Sequence, residues 1–578
     1  ALEIASYEAM EFTFAWLCCL LFIVFKSKAL PYDYTATTEC LPTPYKPLYN
    51  GGIIVNPAFD NGLRGWHKFG YGKIENRQIN GNKFLVAFSR RKPADSVAQR
   101  LYLHANHLYS VSAWVQVKHG SAPVTAMFKT TSGFINSGIV IAKSGCWSML
   151  KGGLSVDVSG YADLYFETKN TSAEIWVDSV SLQPFTEEEW RSHHQESIEK
   201  ARKSKMRIKV VDKQGKAMPN SEIHINQQTV SFPIGCAMNK NILSNTAYQN
   251  WFTSRFRVTT FEDEMKWYST EGAGQGKVDY SIADAMMSFS KLHNIAVRGH
   301  NVLWDDPRYQ PFWVSSLSEQ DLNKAAVNRV SSLVSRYRGQ VIAWDVVNEN
   351  LHFSFLESKI GSTASSVFYH LAHVADPEAT LFLNEFNTIE NKGDESSAPT
   401  KYLQKLNEIK AGSPGNNNLK YGIGLESHFR VPNIAYMRSS IDMLASTNYP
   451  VWLTEVDVES GPNQATFLEQ ILREGHGHPK VSGIVLWSAW KPSGCYKMCL
   501  TDNNFRNLPT GDVVDKFLRE WGGLKGQNHS FTTTTDENGY FEANLFHGDY
   551  EVIFHGQAIN ISVNPEEETS TILLQESL

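Results

Sequence analysis

The sequence predicts a multidomain protein with a (β/α)8 TIM barrel, an N-terminal β-sandwich of the jelly-roll type and a small C-terminal β-domain. Three observations lead to this prediction. The chain has 578 residues, which is more than one hydrophobic core accommodates. Residues 51–185 carry short strands of alternating polarity between Gly, Asn and Pro, as β-sandwiches do. Residues 231–526 instead alternate apolar strands with helical stretches, which is the pattern of a barrel.

The segment before the sandwich contains one apolar run, Phe12 to Phe25. The run is too short to span a bilayer comfortably, and Ser27 and Ala29 follow it as a small-residue cleavage site. Residues 10–29 are therefore predicted to be a secretory signal peptide. A single-pass anchor is the alternative, because acidic rather than basic residues precede the run. Residues 30–50 are predicted to be a linker.

Composition narrows the function classes. A formal charge of −6 with 20% charged residues describes a slightly acidic globular protein and argues against a nucleic-acid binder. Aromatic residues make up 12% of the chain. Flat rings with polar tips are suited to stacking on sugar faces, although most single Trp and Tyr residues belong to protein cores.

Cysteine spacing predicts two disulfides. Cys495 and Cys499 are near enough in sequence to close a small loop, Cys40 is paired with Cys146, and Cys236 is expected to be buried. No matching Cys or His cluster accompanies the CxxxC pair, so a zinc site is not predicted. Three N-x-S/T triplets are compatible with a secreted glycoprotein: Asn170, Asn528 and Asn560.

Two stretches flank the predicted barrel. Residues 186–205 are charged and helical in pattern and are predicted to be a helical linker. Residues 206–230 and 527–578 show alternating runs around the turn signals KQG, ENG and HGD. Because neither stretch has enough apolar surface for its own core, the two are predicted to form one small transthyretin-like β-sandwich that the barrel interrupts. The alternative is a hairpin under the barrel and an independent tail.

Eight strand candidates define the predicted barrel: Ser231 to Ala237, Phe256 to Phe261, Ala296 to Val302, Val341 to Val347, Leu381 to Glu385, Gly422 to Leu425, Val451 to Val456 and Gly483 to Trp487. A doubly wound sheet would usually show a glycine-rich phosphate loop, which this region lacks. Polar residues follow the carboxyl ends of these strands, where barrels build their active sites: Glu262, His300, Asn348, Glu349, Glu385, His428 and Glu455.

Two of these carboxylates indicate the chemistry. Glu349 ends the fourth strand in "VVNEN" and Glu455 ends the seventh in "WLTEVDV", so they are predicted to face each other across the mouth. Opposed carboxylates with aromatic walls and no metal-ligand spacing are what glycosidic cleavage requires, and this reaction needs no cofactor. The aromatic walls are predicted to come from Trp267, Trp304, Trp487 and Trp490.

The motifs "FEDEMKW", "GHNVLW", "WDVVNE", "GIGLESHF" and "LTEVDV", in this order, resemble glycoside hydrolase family 10, whose members are chiefly endo-β-1,4-xylanases. The resemblance implies a retaining mechanism with Glu349 as acid/base and Glu455 as nucleophile, their carboxyl groups about 5–5.5 Å apart. It also implies that Asn348 contacts the sugar 2-hydroxyl and that His428 orients the nucleophile. The other predicted substrate-binding residues are Glu262, Lys266, His300, Trp304, Glu426, Trp487 and Trp490.

Two positions depart from the family pattern. Asp263 stands where the family commonly has Asn, and Glu426 where it commonly has Gln. A third carboxylate near Glu349 and Glu455 would raise the pKa of whichever group is least compensated. These departures are therefore expected to affect the pH optimum and subsite affinity rather than the reaction type.

The N-terminal sandwich resembles a family 22 carbohydrate-binding module in "SRRKPADS", "SAWVQV", "CWSMLKGG" and "LYFETK". By that pattern Arg90, Trp114, Trp147, Tyr165 and Glu167 are candidate xylan contacts. For Trp114 a core position is the alternative, because it lies in an alternating strand with Val111 and Val115.

The whole arrangement most resembles plant wall xylanases. The predicted function is endo-hydrolysis of internal β-1,4-xylosidic bonds in cell-wall xylan by a secreted extracellular enzyme. Its predicted partners are xylan and xylo-oligosaccharides, with no nucleic acid and no stable membrane association after signal cleavage. The alternatives are a xylan transglycosylase that uses the same carboxylates, and a non-catalytic wall-polysaccharide-binding protein. The intact pair of Glu349 and Glu455 argues against the second of these.

Overall fold

The computed structural model describes residues 30–412, 418–524, 529–565 and 571–576. The predicted signal peptide and Asn528 lie outside these residues. No helix in the described part of the chain is long and apolar enough to cross a membrane. The described residues form a β-sandwich, a barrel and a small β-domain, which confirms the predicted fold class.

The N-terminal sandwich is built from short antiparallel strands. Over residues 51–186 these are β1 (His67–Phe69), β2 (Lys73–Ile79), β3 (Asn82–Phe88), β4 (Ser96–Leu103), β5 (His107–Val117), β6 (Ser121–Thr130), β7 (Gly133–Lys143), β8 (Ser148–Leu154), β9 (Gly160–Glu167) and β10 (Ile175–Thr186). They pair into two sheets with the orders β1-β4-β9-β6-β7 and β2-β3-β10-β5-β8. Alternate apolar side chains such as Val115, Phe128 and Leu164 are buried between the sheets, because successive side chains of a strand point to opposite faces.

Residues 30–50, which were predicted to be a linker, are packed in place. A disulfide joins Cys40 to Cys146 with Cα atoms 5.3 Å apart, and Leu41 forms a β-bridge with Trp147. Tyr32 is 7% exposed and lies against the sandwich and the barrel. The segment therefore seals the junction between these two domains, and the linker prediction is corrected.

A helix at Glu187–Ala201 follows the sandwich directly. Thr186 begins it with a capping box: Thr186 Oγ1 accepts from the Glu189 N–H, and the Glu189 carboxylate accepts from the Thr186 N–H. Trp190 Nε1 donates to Glu474 Oε2 of the barrel at 2.9 Å, so this helix is docked rather than free. Strands β11 (Lys203–Val211) and β12 (Glu222–Gln227) come next.

The barrel region contains strands β13 (Ile234–Met238), β14 (Val258–Phe261), β15 (Ala296–Gly299), β16 (Leu303–Trp304), β17 (Ala343–Asp345), β18 (Val347–Asn348), β19 (Thr380–Glu385), β20 (Tyr421–Leu425), β21 (His428–Phe429), β22 (Val451–Val458) and β23 (Val481–Leu486). Within the described residues, β13, β14, β15, β17, β19, β20, β22 and β23 pair in parallel, and β23 pairs with β13 to close the barrel. All eight predicted strands are present. The first begins at Ile234 instead of Ser231, because Pro233 has no N–H for a ladder hydrogen bond.

Helices surround the barrel: Thr246–Thr253, Trp267–Thr270, Ser281–Leu292, Glu319–Arg336, Phe355–Ile360, Ala364–Ala375, Pro399–Gly412, Ile434–Ala445, Gln464–Gly477 and Pro509–Glu520. The helix Ile434–Ala445 is buried on all sides, because sandwich strand β8 packs against its outer surface. Gly153 of β8 permits this close approach, since a Cβ there would lie 2.3 Å from the Ala435 carbonyl carbon. The sandwich and the barrel are therefore in direct, tight contact.

The remaining strands are β24 (Ser530–Thr534), β25 (Tyr540–Phe546), β26 (Gly548–Phe554), β27 (Gln557–Val563) and β28 (Thr571–Gln575). Strand β11 pairs with β25 and β28, and β12 pairs with β24 and β26. Ile208, Val210 and Ile223 share one core with Tyr550 and Val552. This is the strand pairing and common core that the split-domain hypothesis requires, with the barrel inserted between the two segments.

Candidate active site

A cleft of about 530 Å³ lies at the carboxyl ends of the barrel strands. Of the residues that line it, the following were predicted as site residues: Glu262, Lys266, His300, Trp304, Asn348, Glu349, Glu426, His428, Glu455 and Trp487. Short parallel pairs extend the strands at this end, such as β16 with β18 and β21 with β22. These extensions carry Trp304, Asn348 and His428 to the opening.

Glu349 leaves the fourth strand directly into the cleft. It follows β18 with φ of 59°, and this left-handed residue turns the chain at the strand end. Glu349 is only 8% exposed. Burial raises the pKa of Glu349 to about 8, and the nearby carboxylates of Glu385 and Glu455 act in the same direction. At neutral pH Glu349 therefore holds a proton that it can donate.

Glu455 has the opposite environment. Asn384 Nδ2 donates to Glu455 Oε1 at 2.9 Å, and His428 Nε2 lies 3.6 Å from the other carboxylate oxygen. His300 Nε2 lies 3.9 Å from Oε1. Burial alone would raise the pKa of Glu455, but His300 and His428 lower it to about 2. Glu455 is therefore ionised at neutral pH and available as a nucleophile.

Both histidines are oriented by a second carboxylate behind them. His300 Nδ1 lies 2.9 Å from Asp345 Oδ2, and Asp345 also accepts from Arg298 Nη2 at 2.7 Å. His428 Nδ1 lies 2.9 Å from Asp457 Oδ1. Burial acts to lower the pKa of His428, but Asp457 raises it well above its usual value, so the ring is a cation that faces Glu455.

Asn384, which the sequence analysis did not single out, connects the predicted residues. Its Nδ2 lies 3.0 Å from Asn348 Oδ1 in addition to its hydrogen bond to Glu455. Thr454 Oγ1 donates to Asn384 Oδ1 at 2.6 Å and so fixes the orientation of the amide. The available signal was a polar residue inside the apolar strand "LFLNE". A buried amide in such a strand needs hydrogen-bond partners on several neighbouring strands.

Glu426 is a third carboxyl group at the same point. It is 2% exposed, and its Oε2 lies 3.5 Å from His428 Nε2. Glu426, His428 and Glu455 each have a polar atom within 4.8 Å of the others, a spacing that would also suit a cation. However, both ring nitrogens of His428 carry protons towards carboxylates, and a protonated imidazole has no lone pair for a metal. The arrangement is an ion-pair cluster.

The aromatic walls differ from the prediction. Trp304 lines the cleft and stacks on Tyr309 with centroids 4.1 Å apart, and Lys266 Nζ lies 4.6 Å from the Trp304 ring centroid. Trp487 also lines the cleft. Trp267 and Trp490 do not: they are 3% and 6% exposed, and their indole N–H groups donate to Glu271 and Asn503.

The physical reason for this correction is local. Trp267 directly follows Lys266 and begins a helix, so its ring packs behind the wall against Trp313. Trp490 packs against Tyr248 and Phe505 in the barrel core. Neighbouring positions in an irregular segment point in different directions, and sequence proximity to a cleft residue does not show which way a ring faces.

The second departure from the family pattern, Asp263, lies in a charged corner of the cleft. Lys491 Nζ contacts Glu262 Oε2 at 2.5 Å and lies 3.6 Å from Asp263 Oδ2. Tyr268 donates to Asp263 Oδ1 at 2.8 Å. Burial would raise the pKa of Asp263, but Lys266 lowers it, so the carboxylate is ionised. The extra charge at Asp263 is thus balanced by Lys266 and Lys491.

Several cleft residues were not anticipated: Tyr268, Asp306, Arg308, Tyr309, Phe353, Phe386, Asn387, Lys491, Tyr496 and Lys497. Tyr496 and Lys497 lie within the loop that the Cys495–Cys499 disulfide closes, with Cα atoms 5.3 Å apart. Phe386 and Asn387 follow β19. Tyr268 lies in the short helix Trp267–Thr270, and Arg308 and Tyr309 lie in a 3-10 turn. The others occupy loops, where the sequence carries no periodic signal of the direction in which a side chain points.

The candidate ligand residues of the sandwich also need correction. Arg90 is 7% exposed, and its guanidinium donates to backbone carbonyls, including those of Asp95, Pro93 and Thr168. Trp114 and Trp147 are 2% and 4% exposed. Both belong to a small core beneath residues 41–49, so the core alternative holds for Trp114. None of these three can stack on a polysaccharide.

Tyr165 and Glu167 have a different position. Strand β9 buries Leu164 and Phe166 between the sheets, so Tyr165 and Glu167 lie on the outer face of the β1-β4-β9-β6-β7 sheet. Tyr165 is only 1% exposed because Phe69 stacks on it at 4.2 Å, whereas Tyr161 on the same face is 59% exposed. Tyr161, with Tyr102 opposite it on β4, is therefore an accessible ring that the sequence analysis missed.

A proton donor opposite an ionised carboxylate, at the mouth of a (β/α)8 barrel, defines a glycoside hydrolase. Residues 224–509 match the family "Glycosyl hydrolase family 10", and residues 51–173 match "Carbohydrate binding domain". The chain is 44% identical over 502 residues to endo-1,4-beta-xylanase 5 of Arabidopsis thaliana, covering 83% of this chain and 88% of the relative. It is 42% identical over 536 residues to endo-1,4-beta-xylanase 4 of the same plant, covering 90% and 89%.

Among solved structures, the CBM22-1 and GH10 modules of Clostridium thermocellum endo-1,4-beta-D-xylanase 10B, complexed with xylohexaose, are 15% identical to this chain. The match covers 82% of this chain and 98% of that chain, with a TM-score of 0.42. The sequence relatives suffice for assignment. This chain belongs to glycosyl hydrolase family 10.

Proposed function

We propose that this chain hydrolyses internal β-1,4-xylosidic bonds of xylan with retention of configuration. The observation that carries the proposal is the division of labour between two glutamates: burial keeps Glu349 protonated, while Asn384, His428 and His300 keep Glu455 ionised. The xylan specificity is supported by the relatives of 42–44% identity, which are named as endo-1,4-beta-xylanases. A non-catalytic binding protein would have no use for this paired arrangement.

The reaction takes two steps. Glu349 gives its proton to the glycosidic oxygen while a Glu455 oxygen bonds to the anomeric carbon, so the leaving sugar departs with the proton and a glycosyl ester remains. Glu349, now ionised, takes a proton from water, and the resulting hydroxyl oxygen displaces the Glu455 carboxylate. Two inversions give net retention. The carboxyl separation of about 5–5.5 Å stays a prediction of this mechanism.

The surrounding residues have positioning roles in this proposal. Asn348, held by Asn384, would meet the 2-hydroxyl of the sugar at the cleaved bond. Lys266, Trp304 and Trp487 form a polar and aromatic wall for the sugars. Glu262 with Lys491 presents a charged hydrogen-bonding pair in the same cleft.

The sandwich is proposed to bind xylan chains and so raise the local substrate concentration. Support comes from the match of residues 51–173 to a carbohydrate-binding domain and from Tyr161 on the outer sheet face. We also propose export to the cell wall. The two disulfides support this, because such bonds persist in oxidising compartments. Asn170 and Asn560, the described sequon positions, are both exposed.

Glu349→Gln and Glu455→Gln test the assignment. Each variant should lower turnover on xylan by at least about 10²–10⁴-fold, because general acid catalysis alone contributes this much. On an aryl xylobioside with a leaving group that needs no proton, Glu349→Gln should recover much of its first-step rate and Glu455→Gln should not. Near-normal turnover of either variant on xylan contradicts the assigned acid/base and nucleophile roles.

A further inference from the structure

Glu426 shares one imidazole with the nucleophile. His428 Nε2 lies 3.5 Å from Glu426 Oε2 and 3.6 Å from Glu455 Oε2, while its Nδ1 is committed to Asp457. If both glutamates were ionised, three buried carboxylates would surround one imidazolium. Like charges this close cannot all ionise cheaply in a buried site, so one of the two glutamates must hold a proton.

The donors decide which glutamate is protonated. Asn384 Nδ2 lies 2.9 Å from Glu455 and 3.3 Å from Glu426. Glu455 also has His300 Nε2 at 3.9 Å and benefits from the charge of Lys266. No comparable second cation is paired with Glu426 in the described residues. The hydrogen-bond donors therefore favour the anion on Glu455 and leave the proton to Glu426.

The other charged groups around Glu426 also favour its protonated form. Its backbone N–H donates to the carbonyl of Glu385, whose carboxylate is bound by His352. Glu390 Oε1 accepts from the backbone N–H of His428 at 3.0 Å. Burial raises the pKa of Glu426 well above its usual value, and the charges of Glu455 and then Glu349 add to this.

We propose that Glu426 works as a neutral carboxylic acid, which donates an O–H hydrogen bond in the sugar site beside Glu455, and that loss of this proton limits activity on the alkaline side. The inference rests on the proposed function and deepens it. It also accounts for Glu426 standing where the family resemblance expects Gln: a protonated carboxyl and an amide each offer one donor and one acceptor at that place.

The sign of the effect follows from the proton count. Because the pKa of Glu426 is raised, the proton is present at low pH and is lost as the pH rises through that value. Ionised Glu426 can only accept hydrogen bonds, and it competes with Glu455 for His428. The sugar then loses a donor, and the nucleophile loses part of its charge compensation.

The test separates Glu426 from the acid/base residue. Glu349 also loses its proton on the alkaline side, so kcat/KM is measured against pH with an aryl β-xylobioside whose leaving group needs no protonation. On this substrate the alkaline limb no longer depends on Glu349, and Glu349→Gln should show the same limb as the wild type. Beyond the limb, one ionisation lowers kcat/KM about tenfold for each pH unit.

Glu426→Gln cannot ionise, so its alkaline limb should move upward by about one pH unit or more, until another group such as His428 titrates. Glu390→Gln is the matched control, because Glu390 also contacts the His428 residue but does not line the cleft. Its limb should stay in place. Glu426→Ala has no donor and should lower kcat/KM at every pH.

Two outcomes overturn the proposal. An unmoved limb in Glu426→Gln would show that Glu426 does not titrate in the working range. A limb that moves to lower pH would assign it to His428, whose proton an ionised Glu426 would have stabilised. Activity of the Glu349→Gln and Glu455→Gln variants on xylan tests the proposed function separately, so either idea can fail alone.

An infrared measurement tests the protonation of Glu426 without relying on activity, in case a kinetic variant has a folding defect. The carbonyl stretch of a protonated carboxyl should be present at neutral pH in the Glu349→Gln protein. It should be weaker by one group in the Glu349→Gln/Glu426→Gln protein. Because other buried carboxyls also hold protons, such as Asp305 with a pKa raised by burial to about 7, only the difference between these two spectra is read. No difference between them would overturn the proposal.

Discussion

Replacing Lys151 by Met will weaken the contact between the sandwich and the barrel. The Lys151 side chain is 0% exposed and its Nζ lies 2.8 Å from Asp442 Oδ2, which is 1% exposed. The same Nζ donates to the backbone carbonyls of Asp33 and Thr35 at 2.8 and 3.0 Å. Lys151 therefore joins sandwich strand β8, the N-terminal segment and the barrel helix Ile434–Ala445. Methionine fits the same space without the charge.

The magnitude follows from the charge that is left behind. Removing one partner of a buried ion pair costs about 3–5 kcal/mol, because the other charge stays buried without compensation. Asp442 keeps two donors: Tyr32 OH at 2.8 Å and His478 Nε2 at 2.9 Å. We therefore expect the low end of the range, about 3 kcal/mol, which is roughly a hundredfold in the equilibrium constant.

The same contact makes stability depend on pH. Burial would raise the pKa of Asp442, but Lys151 and His478 lower it in the folded protein. A lowered carboxyl pKa contributes stability fully above the unfolded value of about 3.9 and loses it as the pH falls through the folded value. Lys151→Met should therefore show a smaller loss of stability on acidification than the wild type.

The assay is guanidinium denaturation of the full-length protein, followed by tryptophan fluorescence and by proteolysis at the domain junction. Lys169→Met is the matched control. Lys169 also bridges sandwich and barrel, with Nζ 2.9 Å from Glu395 Oε2, but the two side chains are 80% and 44% exposed. An exposed pair is worth about 0–1 kcal/mol. If Lys151→Met destabilises no more than Lys169→Met, the reasoning from burial is refuted.

Two further substitutions test the cleft wall and the sandwich. The His352 ring lies 2.7 Å from Glu385 and 2.9 Å from Asp394, and it stacks on the cleft residue Phe386 with ring centroids 3.8 Å apart. Because ring stacking is worth about 0.5–1.5 kcal/mol, His352→Gln should raise KM for xylan about 2- to 10-fold with a smaller change in kcat. An unchanged KM would contradict this. Tyr161→Ala should weaken binding to insoluble xylan about tenfold in a pull-down assay, without lowering the hydrolysis of soluble xylan. The control is Tyr45→Ala, which should bind normally because Tyr45 lies beside Trp114 of the other sheet. Equal binding of both variants would place the ligand elsewhere.

The barrel and its two central glutamates could be predicted because the relevant signals are local in sequence. Each barrel strand is a short apolar run; Glu349 follows one such run directly, and Glu455 interrupts another in the second half of β22. Because the barrel strands run parallel, their carboxyl ends all meet at the mouth. The split β-domain could also be predicted from the sequence, because neither of its segments could bury a core alone.

The burial of Arg90, Trp114 and Trp147 in the sandwich could not be predicted, because the direction of these side chains depends on packing that is distant in sequence. Trp114 and Trp147 are covered by residues 41–49, which the Cys40–Cys146 disulfide holds in place. Tyr165 is covered by Phe69. A ring in an alternating strand can face ligand or protein on the outer side of a sheet, and only the covering segment decides between them. For the same reason, residues 30–50 are a packed part of the structure and not the linker that the sequence predicted.

Three glutamates with the same intrinsic acidity acquire different protonation states in this cleft, and the cause is the unequal supply of donors. Glu455 receives hydrogen bonds or charge from Asn384, His428 and His300, and Glu426 shares the first two of these. Among the described residues, none of the three forms a hydrogen bond or ion pair with Glu349. His300 and His428 lower the pKa of Glu455, and Asn384 adds a neutral donor that stabilises the anion without adding a charge that would also act on Glu349. A cation in its place would lower the pKa of all three carboxyls together and so remove the proton that the first step needs. The separation of acid from nucleophile thus depends on the burial of Glu349, on the two histidines beside Glu455, and on an amide within an apolar strand that no catalytic motif marks.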